Sequence, residues 1–368
     1  MTSKPKESLD QLVLLLEERI PGTMHEANVP GLSFALIQNW ETAWTQGFGV
    51  MNAESREPVN PGTVFEGCSL SKPVFAYAAL KLCETGHLAI DTPLSHYLPD
   101  PYVPNEPMVQ EITMRQALAH TAGFPNWRPD CWNEEGWNPE GKPLQTFFAP
   151  GERFSYSGEG YMYVQHVVEH VTGQTGESYM QSELFKPAGM KSSTYLCTAD
   201  QATDLATGHD EHGRPAKQQL YRSMCSAASL HSTPSDVARI LCACMRRDSG
   251  ASWHINAELA KEMTTAQVPV NDSASWHDNW PDVPVKDDPF VSWGLGWATQ
   301  NHNGLKAIWH WGDNGPFKAF ALGYPGEGKG LVAMANGSNG YKLWSALCSM
   351  ALGGEYPCID WLNRVVYS

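Results

Sequence analysis

The chain predicts an α+β fold: one antiparallel sheet built from both chain ends, flanked by helices, with a mostly helical region inserted between them. Three observations predict it. Strand-like segments open the chain at Gly31-Leu32-Ser33-Phe34-Ala35-Leu36-Ile37 and at Thr42-Ala43-Trp44-Thr45-Gln46-Gly47-Phe48-Gly49-Val50, reading as a hairpin. Strands return near Trp293-Gly294-Leu295-Gly296-Trp297, at residues 308–311 and 318–322, and at Leu331-Val332-Ala333-Met334-Ala335. The stretch between is rich in apolar residues at helical spacing. The predicted division is a sheet half from residues 1–70 and 290–368, a mostly helical half from 71–289, and a site at their interface.

The first element is an amphipathic helix capped by Ser8, whose apolar run Leu12-Val13-Leu14-Leu15-Leu16 is broken by Glu17-Glu18-Arg19. That run is shorter than the apolar segment of an export signal, and no small-residue cleavage site follows it. No stretch approaches the ~20 apolar residues of a membrane span. A cytoplasmic protein is expected.

After the hairpin comes Ser69-Leu70-Ser71-Lys72, leading into Pro73-Val74-Phe75-Ala76-Tyr77-Ala78-Ala79-Leu80, which reads as a buried helix with proline in its first turn. Residues i and i+3 share a helix face, so the Lys72 amine can reach the Ser69 hydroxyl. Ser69 would sit at the positive end of a core helix, where a developing oxyanion is favoured. Next, Pro150-Gly151-Glu152-Arg153-Phe154-Ser155-Tyr156-Ser157-Gly158 places a tyrosine after a Pro-Gly turn, and a helix with Tyr161, Val164, Val167, Val168 and Val171 follows and stops at Gly173. Two irregular stretches, residues 125–142 and 269–289, carry five tryptophans between them (Trp127, Trp132, Trp137, Trp276, Trp280) and read equally as cleft walls or as surface loops. The segment Trp309-His310-Trp311-Gly312-Asp313 is strand-like, and its glycine would let a substrate approach closely. A last helix spans residues 341–352.

Composition narrows the function. The 368 residues, 42% hydrophobic with 14 tryptophans, suffice for a globular core, and the net charge of −15 argues against nucleic acid or an anionic membrane as partner. Nine cysteines, an odd number, with Cys83, Cys242 and Cys244 in apparent helices, read as reduced buried thiols. Cys242-Ala243-Cys244 is not a metal spacing, and His209-Asp210-Glu211-His212 lacks the H-E-x-x-H pattern. No cofactor or metal is expected, and the oligomeric state is not legible. Taken singly, Ser69 reads as a helix cap, Lys72 as a solvated side chain, Tyr156 as a core aromatic and His310 as a structural histidine. Their order along the chain changes that reading.

Together these residues resemble the serine β-lactamase and penicillin-binding-protein superfamily, in the branch of class C β-lactamases, family VIII carboxylesterases and D-aminopeptidases and amidases. Further stretches typical of that branch are Ile112-Thr113-Met114-Arg115-Gln116-Ala117-Leu118-Ala119-His120-Thr121-Ala122-Gly123, Pro187-Ala188-Gly189-Met190 and Ser232-Thr233-Pro234-Ser235-Asp236-Val237-Ala238. The resemblance implies a β-lactamase/transpeptidase-like fold with Ser69 as nucleophile and Lys72 and Tyr156 as its acid–base partners. It leaves open which of the two takes the proton. It implies an oxyanion hole from the backbone N–H groups of Ser69 and Asp313, and substrate contacts from Trp309, His310, Trp311 and Gly312. The chain departs from the pattern where His310-Trp311-Gly312 replaces lysine-threonine-glycine. A histidine is charged only in part near neutral pH, so recognition of a substrate carboxylate is weakened. Gly158 replaces the class C asparagine and removes an amide that would grip an acyl-side carbonyl. The expected activity is a serine hydrolase acting on small esters or amides, carboxylesterase-like first. The alternatives are a D-amino-acid peptidase or amidase on short peptides, a weak β-lactamase, and a non-catalytic scaffold.

Overall fold

The computed structural model describes residues 8–133, 136–137, 143–197, 204–217, 221, 223–247, 250–272 and 285–368. Its helices are α1 (Leu9–Ala27), α2 (Ser71–Glu84), α3 (Met114–Leu118), α4 (Gly158–Thr172), α5 (Gly176–Met180), α6 (Lys186–Ala188), α7 (Pro234–Arg246), α8 (Ala257–Met263), α9 (Trp344–Leu352) and α10 (Pro357–Trp361). The early strands are β1 (Gly31–Gln38), β2 (Glu41–Gly49), β3 (Phe65–Cys68), the short pair β4 (Trp132–Asn133) and β5 (Gly136–Trp137), and β6 (Leu230–Ser232). The later ones are β7 (Val268–Asn271), β8 (Asp287–Trp293), β9 (Ala298–His302), β10 (Leu305–Asp313), β11 (Lys318–Tyr324) and β12 (Lys329–Ala335).

Eight strands form the main sheet in the order β2-β1-β12-β11-β10-β9-β8-β7, antiparallel at every step. The two chain ends meet at β1–β12, where Leu32 faces Ala335 and Ile37 faces Gly330. Successive strand residues point to opposite faces, and the core divides accordingly. Leu32, Phe34 and Leu36 pack with Leu16 and Ile20 of α1 and Leu347 of α9, whereas Ala35 and Ile37 belong to the core shared with α2, α4 and α7. The sheet is thus sandwiched between the terminal helices and the inserted helical region.

Local signals explain the ends of several elements. Ser8 closes a capping box with Gln11 at the start of α1. Ser157 accepts the Gly160 N–H at the start of α4, and Gly173 ends it at φ 65°. The structure differs from the sequence reading at Trp293–Trp297. Trp293 closes β8, but residues 294–297 are a turn into β9, because Gly296 adopts φ 90° and packs with no room for a Cβ against Ala76 of α2. Strands β7 and β8 start ahead of residue 290. Among the described residues, no helix is long and apolar enough to cross a membrane. All cysteines are free thiols, and all but Cys83 and Cys197 are buried.

Candidate active site

The proposed nucleophile is aimed by a strained turn. Strand β3 pairs with β6 and ends at Cys68, which adopts φ 50°, an uncommon conformation for a residue with a side chain. Ser69 follows, and α2 begins two residues later. The helix has Leu70 at its N-cap with no side-chain cap, so the Ser69 hydroxyl does not serve as one. Ser71 holds the turn instead: its hydroxyl donates to the Cys68 carbonyl and accepts the Leu230 N–H at 2.9 Å.

Lys72 is fully enclosed in the first turn of α2. Its Nζ lies 3.1 Å from Ser69 Oγ and donates to the Ala227 carbonyl at 2.8 Å. Among the described residues no carboxylate pairs with it. Burial lowers its pKa from the ordinary lysine value to about 7, so a substantial neutral fraction exists at physiological pH.

Tyr156 arrives on the segment before α4. Its ring centroid lies 4.7 Å from Lys72 Nζ, and it packs against Trp311 and Trp293 at 4.9 and 5.5 Å. Burial pushes its phenol pKa up, and a hydrogen bond with Ser69 opposes that shift. The structure therefore brings Ser69, Lys72 and Tyr156 together. Burial disfavours the charged form of both the phenol and the amine.

The sequence-stretch Trp309 to Asp313 lies on β10 and divides by function. Trp309 is fully buried against Phe320 and Trp361, on the side of the terminal helices. His310 and Trp311 are buried as well, and neither lines the cleft over Ser69. His310 Nδ1 lies 2.6 Å from the Trp311 carbonyl, and burial followed by the nearby Lys72 holds its pKa well below the ordinary histidine value. Burial thus disfavours the charged form of this imidazole, in contrast to the partly charged group that the sequence suggested.

Gly312 serves a different end from substrate approach. A Cβ there would lie 2.7 Å from Cys68 Cβ and 3.0 Å from Ser69 N, so its bareness lets β10 press against the nucleophile turn. Gly312→Ala is expected to push that turn away and lower kcat by ~10²-fold, as small misplacements of reacting groups do. A steady-state assay beside a thermal melt checks this.

The cleft has a volume of ≈ 240 Å³ and is lined by Ser69 and, at its floor, the buried Lys72. Asn126 and Trp127 line it from the loop after α3, Ala228 and Tyr221 from the segment before β6, and Asp313 and Asn314 from the end of β10. Of these only Asp313 was singled out in the sequence, for its backbone, and Trp127 as part of an irregular stretch. Trp276 and Trp280 lie outside the described residues.

The loop carrying Asn126 is clamped onto the start of α4. Gly158 N–H reaches the backbone carbonyl and side-chain oxygen of Asn126 at 2.9 and 3.0 Å. Arg128 forks onto the buried Glu159 carboxylate, with its closest contact at 2.7 Å. Gly158 is what admits Trp127, since a Cβ there would come within 2.7 Å of the indole. The space that an asparagine would occupy is filled by an aromatic wall. Lys72 is the sole cation among the described residues lining the cleft, and nearby Lys318 is bound at 2.7 Å to Asp313.

Comparison with known proteins gives a consistent family. A model of the Beta-lactamase family matches residues 16–345. Protein flp of Staphylococcus aureus strain MW2 is 24% identical over 86% of this chain and 62% of its own length. The unguisins hydrolase ungD' of Aspergillus campestris is 25% identical over 91% of this chain and 64% of its own length. The chain thus spans less than two thirds of these curated relatives. Among solved structures, the octameric penicillin-binding protein homologue from Pyrococcus abyssi superimposes with a TM-score of 0.75 at 25% identity, covering 95% of this chain and 80% of the other.

Proposed function

The chain belongs to the beta-lactamase family, and from that premise we propose that it is a serine hydrolase forming an acyl-enzyme on small esters or amides. The observation that carries this reading is the Lys72 Nζ to Ser69 Oγ contact of 3.1 Å, inside a pocket that lowers the amine to about 7. A serine hydroxyl attacks efficiently only when a base removes its proton in the same step. A neutral Lys72 supplies that base, and the protonated phenol of Tyr156 supplies the acid that meets the leaving group. This division is favoured because burial opposes ionisation of the tyrosine and promotes neutrality of the lysine.

In the first step Ser69 Oγ bonds to the substrate carbonyl carbon while its proton passes to Lys72. The oxyanion is met by the N–H groups of Ser69 and Asp313, whose strand ends are pressed together at Gly312. The carbon–leaving-group bond then breaks as the leaving oxygen or nitrogen takes a proton through Tyr156. Water repeats the sequence on the ester of Ser69, releasing the acid and restoring the hydroxyl.

An ester substrate comes first because an alcohol leaves with less protonation than an amine. The aromatic wall of Trp127 and Tyr221, and the lack of any cation but Lys72 among the described residues lining the cleft, disfavour carboxylate-bearing β-lactams. The second reading, a peptidase or amidase for D-amino-acid substrates, is supported by the polar cleft wall of Asn126, Asp313 and Asn314, which offers acceptors to a substrate amine, Asp313 being already paired with Lys318.

Fluorophosphonate labelling followed by hydrolysis of p-nitrophenyl butyrate and of a D-alanyl anilide tests both. Labelling with faster ester turnover is expected. Anilide cleavage without ester cleavage would reverse the order of the readings. A folded protein that takes no label would instead be a scaffold.

A further inference from the structure

His120 belongs to the stretch Leu118-Ala119-His120-Thr121, which the chemistry above leaves unused, yet it holds the chain on both sides of Tyr156. Its carbonyl accepts the Ser155 N–H at 2.7 Å, and its Nδ1 accepts the Ser157 N–H at 2.9 Å. Between those two bonds its ring meets the Tyr156 ring, with centroids 4.4 Å apart. His120 is fully buried and adopts φ 58°, a conformation that persists in a residue with a side chain only where its surroundings fix it.

We infer that His120 is a positioning residue, which as a neutral imidazole sets the Tyr156 phenol against Ser69 and Lys72. The inference rests on the serine-hydrolase reading above. Accepting an N–H at Nδ1 requires the ring proton to sit on Nε2, and an imidazolium would present a second N–H and break the Ser157 bond. The groups facing the ring are Lys72 from α2, Tyr156 and Tyr161 from the segment entering α4 and from α4 itself, Trp293 from β8 and His310 from β10. Burial, then Lys72, then His310 hold the His120 pKa well below the ordinary histidine value. Protonation of His120, which would open the Tyr156 clamp, is thereby disfavoured.

The test uses the full chain with His120→Gly and His120→Asn, both of which tolerate positive φ. Asparagine offers an oxygen close to the place of Nδ1; glycine offers neither acceptor nor ring. His120→Gly is expected to lower kcat and the labelling rate by ~10²-fold with KM within ~2-fold, and His120→Asn to recover to within ~10-fold of wild type. Both should keep the wild-type pH midpoint.

Asparagine as impaired as glycine would overturn the inference, as would a displaced midpoint, which would make His120 a proton-exchanging group. Should the glycine variant fail to fold, ¹⁵N spectra of the wild type decide the matter. A bare Nδ1 and a protonated Nε2 at neutral pH are expected, and the opposite tautomer or an imidazolium would refute the clamp. Tyr156→Phe serves as the control. Full activity in that variant would sink the role of Tyr156 itself, whereas an inactive Tyr156→Phe beside a fully active His120→Gly would sink this inference alone.

Discussion

Ser69→Ala is expected to abolish fluorophosphonate labelling and to lower hydrolysis by at least ~10⁴-fold, in line with the loss of nucleophiles in other serine hydrolases. Its melting temperature should match the wild type. The substitution deletes one hydroxyl oxygen whose contacts are the Lys72 amine and the Tyr156 phenol, and α2 does not use that hydroxyl as a cap. The strained turn is held by Ser71 through Cys68 and Leu230, and Ser71 is untouched. Labelling of the alanine variant at any appreciable rate would place the nucleophile elsewhere.

Lys72→Met should separate activity from stability in opposite directions. Turnover is expected to fall by ~10³-fold or more, since the base is gone. The stability effect follows from linkage. A lysine with a pKa of 10.5 when unfolded and about 7 when folded loses a proton on folding between those values, so its cost to stability is complete below pH 7 and fades as pH rises toward 10.5. At pH 7 that cost is roughly 4 kcal/mol at most. Methionine removes it but leaves the Ala227 carbonyl without its donor, a loss of about 1–3 kcal/mol. The net expectation is a variant melting a few degrees higher at pH 7, with an advantage that shrinks by pH 10. The same titration predicts that wild-type kcat/KM rises through pH 7 as Lys72 becomes neutral. A flat profile, or an advantage for methionine that grows with pH, would refute the buried neutral amine.

The parts of the site that sequence discloses are those governed by a period or a cap. The i, i+3 spacing of Ser69 and Lys72 needs only helical geometry, and the structure delivers their contact. The hairpin of β1 and β2 follows from its segments, and α4 from its apolar spacing and glycine stop. Asn126, Tyr221 and Asn314 were invisible because they reach the cleft from loops whose course is set by tertiary clamps such as Arg128 on Glu159. No local pattern encodes such a clamp. The charge state of His310 was equally hidden, since it depends on burial and on the bond from Nδ1 to a backbone carbonyl. Strand β8 escaped notice because its start, Asp287-Asp288-Pro289, holds two carboxylates and a proline in place of apolar alternation, whereas the apolar run after it marks a turn.

The seam between β1 and β12 has a consequence for how the molecule comes into being. Leu32 pairs early with Phe48 of β2 but must wait for Ala335, 303 positions downstream, before its other ladder partner exists. A ribosome releasing this chain therefore holds an incomplete ladder with apolar faces bared until β12 has been made. Such high contact order slows the search for the native state and leaves it open to aggregation. Nascent fragments would be clients for holdase chaperones, and catalytic competence would emerge abruptly, with the final strands, instead of growing with length.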